Sequence, residues 1–305
     1  MSHAHLPFHN LAQVFAKLEK TSSILAMIDI LAGFFRSASA DDARIAAYLI
    51  RGGIAPDYEG LELGLAGKLA LRAVALAYDL PNQELERRLR RTGDLGSVVA
   101  EIAPRRTHAM LTLKGVFAEL HALALLSGTG SQEKKLDALA ALLKHATAEE
   151  AKYLVRIVLG ALRLGVAEMT FLNALALATT GSREDKKTLE HGFNVLADIG
   201  EVAYRAVKNG VESLADAEPT PGVPVRMMLA ERVAELEEVP EHIPGPVFVE
   251  YKYDGERLQT HIREHGNIVI FSRRHEKITH QFPDVIAALK KAFGGKTAIV
   301  EGEVV

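Results

Sequence analysis

The sequence predicts a chain in two parts: a long all-α region built as a duplicated helical unit, then a shorter, truncated α+β region. Three observations point there. Apolar residues recur at three- and four-residue spacing from Leu11 to about Ala215. Four short segments of that stretch reappear at a nearly constant offset. A proline-rich run at 218–224 then separates it from segments that alternate as strands.

In order along the chain, the Ala- and Leu-rich helices are cut by polar breaks at 127–131 and 180–185. Ser39-Ala40-Asp41-Asp42 and Thr147-Ala148-Glu149-Glu150 read as capped helix starts, a hydroxyl accepting from first-turn amides and two acids favourably placed on the helix dipole. These starts lie 108 positions apart. Val14-Phe15-Ala16-Lys17-Leu18 returns as Val116-Phe117-Ala118-Glu119-Leu120 after 102 positions, Leu63-Gly64-Leu65-Ala66 as Leu164-Gly165-Val166-Ala167 after 101, and Asp94-Leu95-Gly96-Ser97-Val98 as Asp198-Ile199-Gly200-Glu201-Val202 after 104. Residues 1–216 are therefore read as two halves related by approximate symmetry, not as a many-repeat solenoid.

The linker is 217–225, since three prolines and a glycine cannot continue a helix. Within 226–305, strands are expected at 247–252, 256–263 and 268–272, the last two joined by a turn around Gly266. A proline-opened helix at 283–293 and a strand at 297–305 follow. The chain stops inside that apolar strand with no turn, cap or polar tail, which would leave a sheet edge unprotected. The expectation is a fragment.

With 305 residues and 48% hydrophobic content, two domains with real cores are possible and disorder is not expected to dominate. The absence of cysteine excludes disulfides and thiolate metal sites and suits a reducing cytoplasm. No signal peptide or membrane-length apolar run is present, so a cytoplasmic protein without membrane attachment is expected. His3, His5 and His9 offer metal ligands, but in a frayed terminus they are read as solvated. A net charge of −3 argues against a chain that binds nucleic acid by bulk charge, leaving local clusters: Arg87, Arg88, Arg90 and Arg91, then Arg105 and Arg106, and Lys186 and Lys187 in a later loop. Each, taken alone, reads slightly better as a solvated helix end.

The most informative segment is Val247-Phe-Val-Glu250-Tyr-Lys252-Tyr-Asp254-Gly255-Glu-Arg257. An apolar run ending in Lys252 and followed by Asp-Gly places the amine at a strand mouth, where it is held rigidly. A lysine that attacks phosphorus must be partly unprotonated near neutral pH, and burial with a neighbouring cation such as Arg257 would lower its pKa. Arg257 can also bind phosphate in a planar, two-pronged way. Glu250, two positions back on a strand, shares the face of Lys252 and can accept from an amino-bearing base. A surface hairpin with scattered charges is the plain alternative. Lys-x-Asp-Gly arises by chance in roughly a few per cent of chains this long, and adding Glu250 and Arg257 lowers that to under about one in a thousand, which favours the functional reading.

With these residues the chain resembles the ATP-dependent DNA ligases, within the covalent nucleotidyltransferases. Glu250 to Arg257 looks like their nucleotide-attachment motif. Phe271-Ser272-Arg273-Arg274 with Glu276, and Ile299-Val300-Glu301-Gly302-Glu303-Val304-Val305, look like two later conserved segments. Pro224-Val225-Arg226-Met227-Met228-Leu229-Ala230 resembles the family's lead-in, with Met227 where proline is usual. Thr92 to Gly96, the run from Arg156 through Arg163 to Glu168, and His191-Gly192-Phe193-Asn194 leading to Asp198-Ile199-Gly200 resemble the helical DNA-binding domain of the archaeal and eukaryotic replicative type.

The resemblance implies an all-α DNA-binding domain followed by part of an α+β adenylation domain, with the family's later phosphate-binding lysines and its OB-fold domain having no counterpart here. It implies that Lys252 attacks the α-phosphate of ATP, that AMP passes to the 5′-phosphate of a nick and that the 3′-hydroxyl displaces it, with Mg2+ neutralising charge. Glu250, Arg257, Arg273 and Glu303 would contact the nucleotide, and Glu303 the metal as well. Asp254 and Gly255 would shape the turn, while Arg274 stands between a ligand contact and a solvated side chain. DNA contacts are assigned to Arg87, Arg88, Arg91, Arg105, Arg106 and Arg163. Nicked duplex DNA is the expected partner of a monomer active in replication, repair and recombination, with a replication or repair clamp as a partner these residues do not specify. Nick sealing by this chain is not expected. A nicked-DNA-binding module without ligation, and an RNA ligase or capping-type enzyme, are the competing readings; the latter gives no reason for the duplicated helices.

Overall fold

The computed structural model describes residues 6–106, 110–228, 230 and 232–305, so His3, His5 and Leu229 lie outside the described residues. The chain divides into two compact units, residues 1–193 with 198–217, and residues 194–197 with 218–305.

The first unit is helical. Its elements are α1 (Phe8–Leu18), α2 (Ile24–Ser37), α3 (Ala40–Ile50), α4 (Gly67–Tyr78), α5 (Asn82–Thr92), α6 (Leu95–Ile102), α7 (Leu113–Leu125), α8 (Ser131–His145), α9 (Ala148–Val158), α10 (Glu168–Thr179), α11 (Lys186–Leu196) and α12 (Ile199–Asn209). Local chemistry sets their starts. Ser39 accepts from the Asp42 amide, and Thr147 and Glu150 form a reciprocal capping box. Asp94 accepts from the amides of Gly96 and Ser97, and Asp198 from that of Glu201. Lys186 and Lys187, expected in a loop, instead open α11, because the polar break ends just before them.

The packing repeats when the first six helices are exchanged with the second six. α2 lies against α10 as α8 lies against α4; α3 lies against α12 as α9 lies against α6; α1 meets α9 as α7 meets α3. Each half therefore buries its second and third helices on the other half. Edge-to-face rings mark the contacts, Phe15 with Tyr153 at 5.3 Å and Phe35 with Phe171 at 5.2 Å.

Close approach of α9 to α6 and of α3 to α12 depends on two glycines. A Cβ on Gly96 would lie 2.8 Å from Arg156 Cγ and 2.8 Å from the Lys152 carbonyl oxygen, and one on Gly200 would lie 2.3 Å from Tyr48 Cζ. Arg156 reaches over Gly96 to the cap carboxylate of Asp94, and Tyr48 reaches over Gly200 to that of Asp198.

The second unit holds a three-stranded antiparallel sheet, β1 (Glu256–Ile262), β2 (Ile268–Phe271) and β3 (Ala298–Val304), in the order β2-β1-β3. A short helix α13 (Val239–His242) precedes it, and α14 (Pro283–Phe293) begins at the expected proline. Leu258, Ile262, Ile268 and Ile270 point to one face and pack with Val285, Ile286, Leu289 and Phe293 of α14. By strand alternation, Arg257, Gln259 and His261 point to the other, where the register sets Glu303 opposite Arg257 and Glu301 opposite Gln259. One face is thus an apolar core and the other a polar face.

The expected strand at 247–252 is not formed. The segment has no regular structure, and Phe248, Val249, Tyr251 and Tyr253 are exposed. Its alternation suits a strand, but both edges of β1 are taken by β2 and β3, and the segment finds no ladder partner among the described residues.

Part of the expected linker is, by contrast, docked. The amide of Gly222 donates to His261 Nδ1 at 2.9 Å, the carbonyl of Pro221 accepts from Arg263 Nε at 3.2 Å, and Val225 makes two bonds with the side chain of Gln259.

Candidate active site

The polar face of the sheet is organised around Gln259. Its Oε1 accepts from the Val225 amide at 2.7 Å, and its Nε2 donates to the Val225 carbonyl at 2.9 Å and to Glu301 Oε1 at 2.7 Å. Glu301 Oε2 in turn pairs with the Arg257 guanidinium. His261, fully buried, closes the other end. Because Gln259 Oε1 can only accept, His261 Nε2 carries the hydrogen of their 2.9 Å bond, and Nδ1 is left to accept from Gly222. Both ring nitrogens are satisfied only by the neutral imidazole. Burial, aided by the Arg263 charge, pushes the pKa of His261 down to about 4. The Phe271 ring meets its edge at 5.0 Å.

The motif residues lie around this face unequally. Arg257 and Glu303 are paired across β1 and β3. Arg273 and Arg274 follow β2 in a loop held by the Ser272 hydroxyl, which accepts from the amides of Arg274 and Glu276. With Arg226, Met227 and His275 they line a cavity of about 350 Å³. A Cβ on Gly255 would lie 2.1 Å from the Val304 carbonyl, so this glycine is required for the β1–β3 approach and not for a left-handed turn. Glu250, Lys252 and Asp254 lie in the exposed segment, outside any strand. The burial expected around Lys252 is absent, for the same want of a strand partner. Among the described residues no cluster of three or more His, Asp or Glu side chains is arranged for a metal. One carboxylate such as Glu303 still fits magnesium, which is commonly held by one or two carboxylates together with substrate phosphates.

Comparison with known proteins decides the family. The family model described as "DNA ligase N terminus" matches residues 7–176, more than half of the chain, and the one described as "ATP dependent DNA ligase domain" matches 227–305. The chain belongs to the ATP-dependent DNA ligase family. It is 41% identical over 298 residues to DNA ligase 1 of Methanosarcina acetivorans, covering 98% of this chain and 51% of that protein. It is 39% identical over 317 residues to a DNA ligase of Aeropyrum pernix (98% and 52%), and 41% identical over 298 residues to a probable DNA ligase of Dictyoglomus turgidum (98% and 51%). The chain spans about half the length of the curated relatives it matches.

Within this ligase N-terminal unit the arginines expected to meet DNA differ in their surroundings. Arg88 is bound by Glu84 at 2.6 Å and approached by Glu101, which also holds Arg91 at 3.2 Å. Arg106 donates to the Met110 sulfur at 3.7 Å. Arg87 and Arg105 are exposed. Arg163, also exposed, lines a groove of about 460 Å³ whose other wall is Ile50, Arg51 and Gly52 at the end of α3. A second groove of about 510 Å³ exchanges the halves: Val158, Leu159 and Gly160 at the end of α9 face Leu63, Gly64 and Ala66. These grooves lie before α4 and α10, whose N-caps Ala66 and Ala167 share φ −69°, ψ 156° and lack a capping side chain. Arg51 was missed in the sequence because it stands alone, although the repeat offset sets it beside Leu159-Gly160. Gln259, His261 and Glu301 were missed as well; alternating polar residues on a strand normally mark a solvated face.

Proposed function

We propose that this chain provides the DNA-binding and nucleotide-attachment parts of an ATP-dependent nick-sealing enzyme that acts in DNA replication, repair and recombination. The observation that carries the reading is Lys252 within Glu250-Tyr-Lys-Tyr-Asp-Gly-Glu-Arg257, immediately before a sheet whose polar face presents Arg257 and Glu303. Lys252 is the nucleophile toward the α-phosphate of ATP, Glu250 accepts from the adenine amino group, and Arg257 and Arg273 hold sugar and phosphates. Bound magnesium, with Glu303 among its ligands, would supply neutralisation of phosphate charge.

The helical unit, which we take to be a duplication within residues 1–216, holds the duplex. Its two exchanged grooves present the uncapped first turns of α4 and α10 to phosphates, with Arg51 and Arg163 at the rim of one of them. This lets an acidic chain bind DNA by local geometry.

Incubating the chain, extended to the length of its relatives, with α-labelled ATP and magnesium and mapping the label tests the lysine assignment. Label on Lys252, lost in Lys252→Ala, is expected; labelling that persists in Lys252→Ala would sink it. One observation favours a second reading, a nicked-DNA-binding module: Lys252 is exposed, without the enclosing pocket an activated lysine needs. Salt-dependent binding of nicked duplex with no label would select that module.

A further inference from the structure

The polar sheet face contains one side chain that touches both flanks of the proposed nucleotide site. Gln259 is buried, and its two amide hydrogens and both acceptor sites of its oxygen are spent on three partners: the backbone of Val225, the carboxylate of Glu301 on β3, and the ring of His261 on its own strand. Toward Val225 it behaves as a residue of a neighbouring strand would, pairing with both the N–H and the C=O of one residue. The next residue, Arg226, lines the cavity shared with Arg273 and Arg274. Toward Glu301 its amide holds one carboxylate oxygen while Arg257 takes the other.

We propose that Gln259 is a positioning residue of the adenylation site, setting the Arg257 guanidinium through Glu301 and the Arg226 side of the cavity through Val225. The inference rests on the proposed nucleotide reading and deepens it. Three features make the arrangement rigid. The amide orientation of Gln259 is forced by the backbone partners, so it cannot flip without losing both bonds to Val225. His261 backs Oε1 with a hydrogen while its Nδ1 is occupied by Gly222. The Glu301 carboxylate, bonded on both oxygens, has one orientation, and the fork of Arg257 inherits it. An arginine set this way meets a phosphate or a sugar hydroxyl without first being ordered, which is where affinity is otherwise lost.

The test separates positioning from the nucleotide reading. In the full chain, the Arg257 guanidinium signals in nitrogen-15 NMR report hindered rotation, expected in the wild type and lost in Glu301→Gln and in Gln259→Leu. Glu301 is on the surface, so its variant keeps the fold even where the buried Gln259 substitution does not. In the labelling assay with ATP and magnesium, Gln259→Leu and Glu301→Gln are each expected to raise KM for ATP about tenfold with little change in maximal rate, and the double variant to be no worse than the worse single one. Freely rotating Arg257 in the wild type, unchanged rotation in both variants, or additive effects would each overturn the proposal. If the wild type takes no label, the nucleotide reading fails and the rotation measurement still decides whether Gln259 and Glu301 set Arg257.

Discussion

Tyr48 and Arg156 occupy equivalent places in the two halves of the helical unit, separated by the same offset as the caps Ser39 and Thr147, and each crosses to the cap carboxylate of the other half. Tyr48 donates to Asp198 at 2.7 Å, and Arg156 donates to Asp94 through Nη2 at 2.7 Å and Nε at 3.1 Å. One position thus carries a neutral donor and the other a charged fork. The acids answer in opposite directions. Burial tends to raise both; at Asp94 the bonds from Arg156 and Ser97 overcome it and hold the carboxyl at about 2, whereas at Asp198 burial outweighs its amide bonds and the Tyr48 hydroxyl, and the carboxyl stays above its ordinary value.

Substituting the two residues should therefore give different acid responses. Tyr48→Phe leaves Asp198 one donor short and is expected to cost about 1 kcal/mol. Arg156→Met is expected to cost about 2 kcal/mol at neutral pH, since the arginine also bonds Glu19. The Asp94 contribution is present above the unfolded carboxyl pKa of about 4 and is lost as pH falls toward 2, because the depressed folded pKa makes the unfolded chain the better proton acceptor in that window. Urea unfolding of each variant from pH 6 to pH 2.5 checks this; equal acid sensitivity of wild type and Arg156→Met would refute it.

Gly200→Ala drives a methyl into the Tyr48 ring and should destabilise the helical unit by about 1–3 kcal/mol, a cost that should largely vanish when the same substitution is made in a Tyr48→Ala background. Thermal denaturation of the wild type, both single variants and the double variant provides the comparison. No relief in the double variant would show that the strain lies elsewhere.

His261 predicts a pH dependence of the sheet unit. Its folded pKa lies at about 4, below the unfolded value of about 6.5, so its contribution is complete above pH 6.5 and declines as pH falls toward 4, by up to roughly 3 kcal/mol. Protonation would set a hydrogen on Nδ1 against the Gly222 amide. Protection factors for hydrogen exchange at Gly222 and Val225, corrected for the intrinsic rate at each pH, should fall over this range, and a ring that titrates near 6.5 in the folded protein would contradict the clamp.

If the grooves hold DNA as proposed, Arg51→Ala and Arg163→Ala should each reduce the salt dependence of nicked-duplex binding by about one unit of slope. Arg88→Ala should change it little, because Glu84 and Glu101 already occupy that guanidinium. Fluorescence anisotropy at several salt concentrations distinguishes them, and a large effect at Arg88 with none at Arg163 would move the interface to α5.

What could be read in the chain beforehand follows the range of the interactions. The Thr147 capping box, the proline opening α14, and strands β1 and β3 are local, and each was visible in a few residues. The packing of α2 on α10 depends on residues far apart, and only the repeat hinted that the halves match. Residues 247–252 alternate as a strand should, but alternation says nothing about a ladder partner. Gln259 and His261 are not legible in the sequence, because burial turns a polar strand face into a network only when another segment, here 221–225, lies across it.

The interlacing of the helical unit has a consequence for how it is made. Since α2 and α3 find their partners in α10 and α12, the first half leaves the ribosome with its apolar stripes uncovered and stays so until the second half arrives. Folding is then a single late event with little value in partial progress, and two copies trapped at that stage can complete one another, helices of one chain filling the places meant for those of its neighbour.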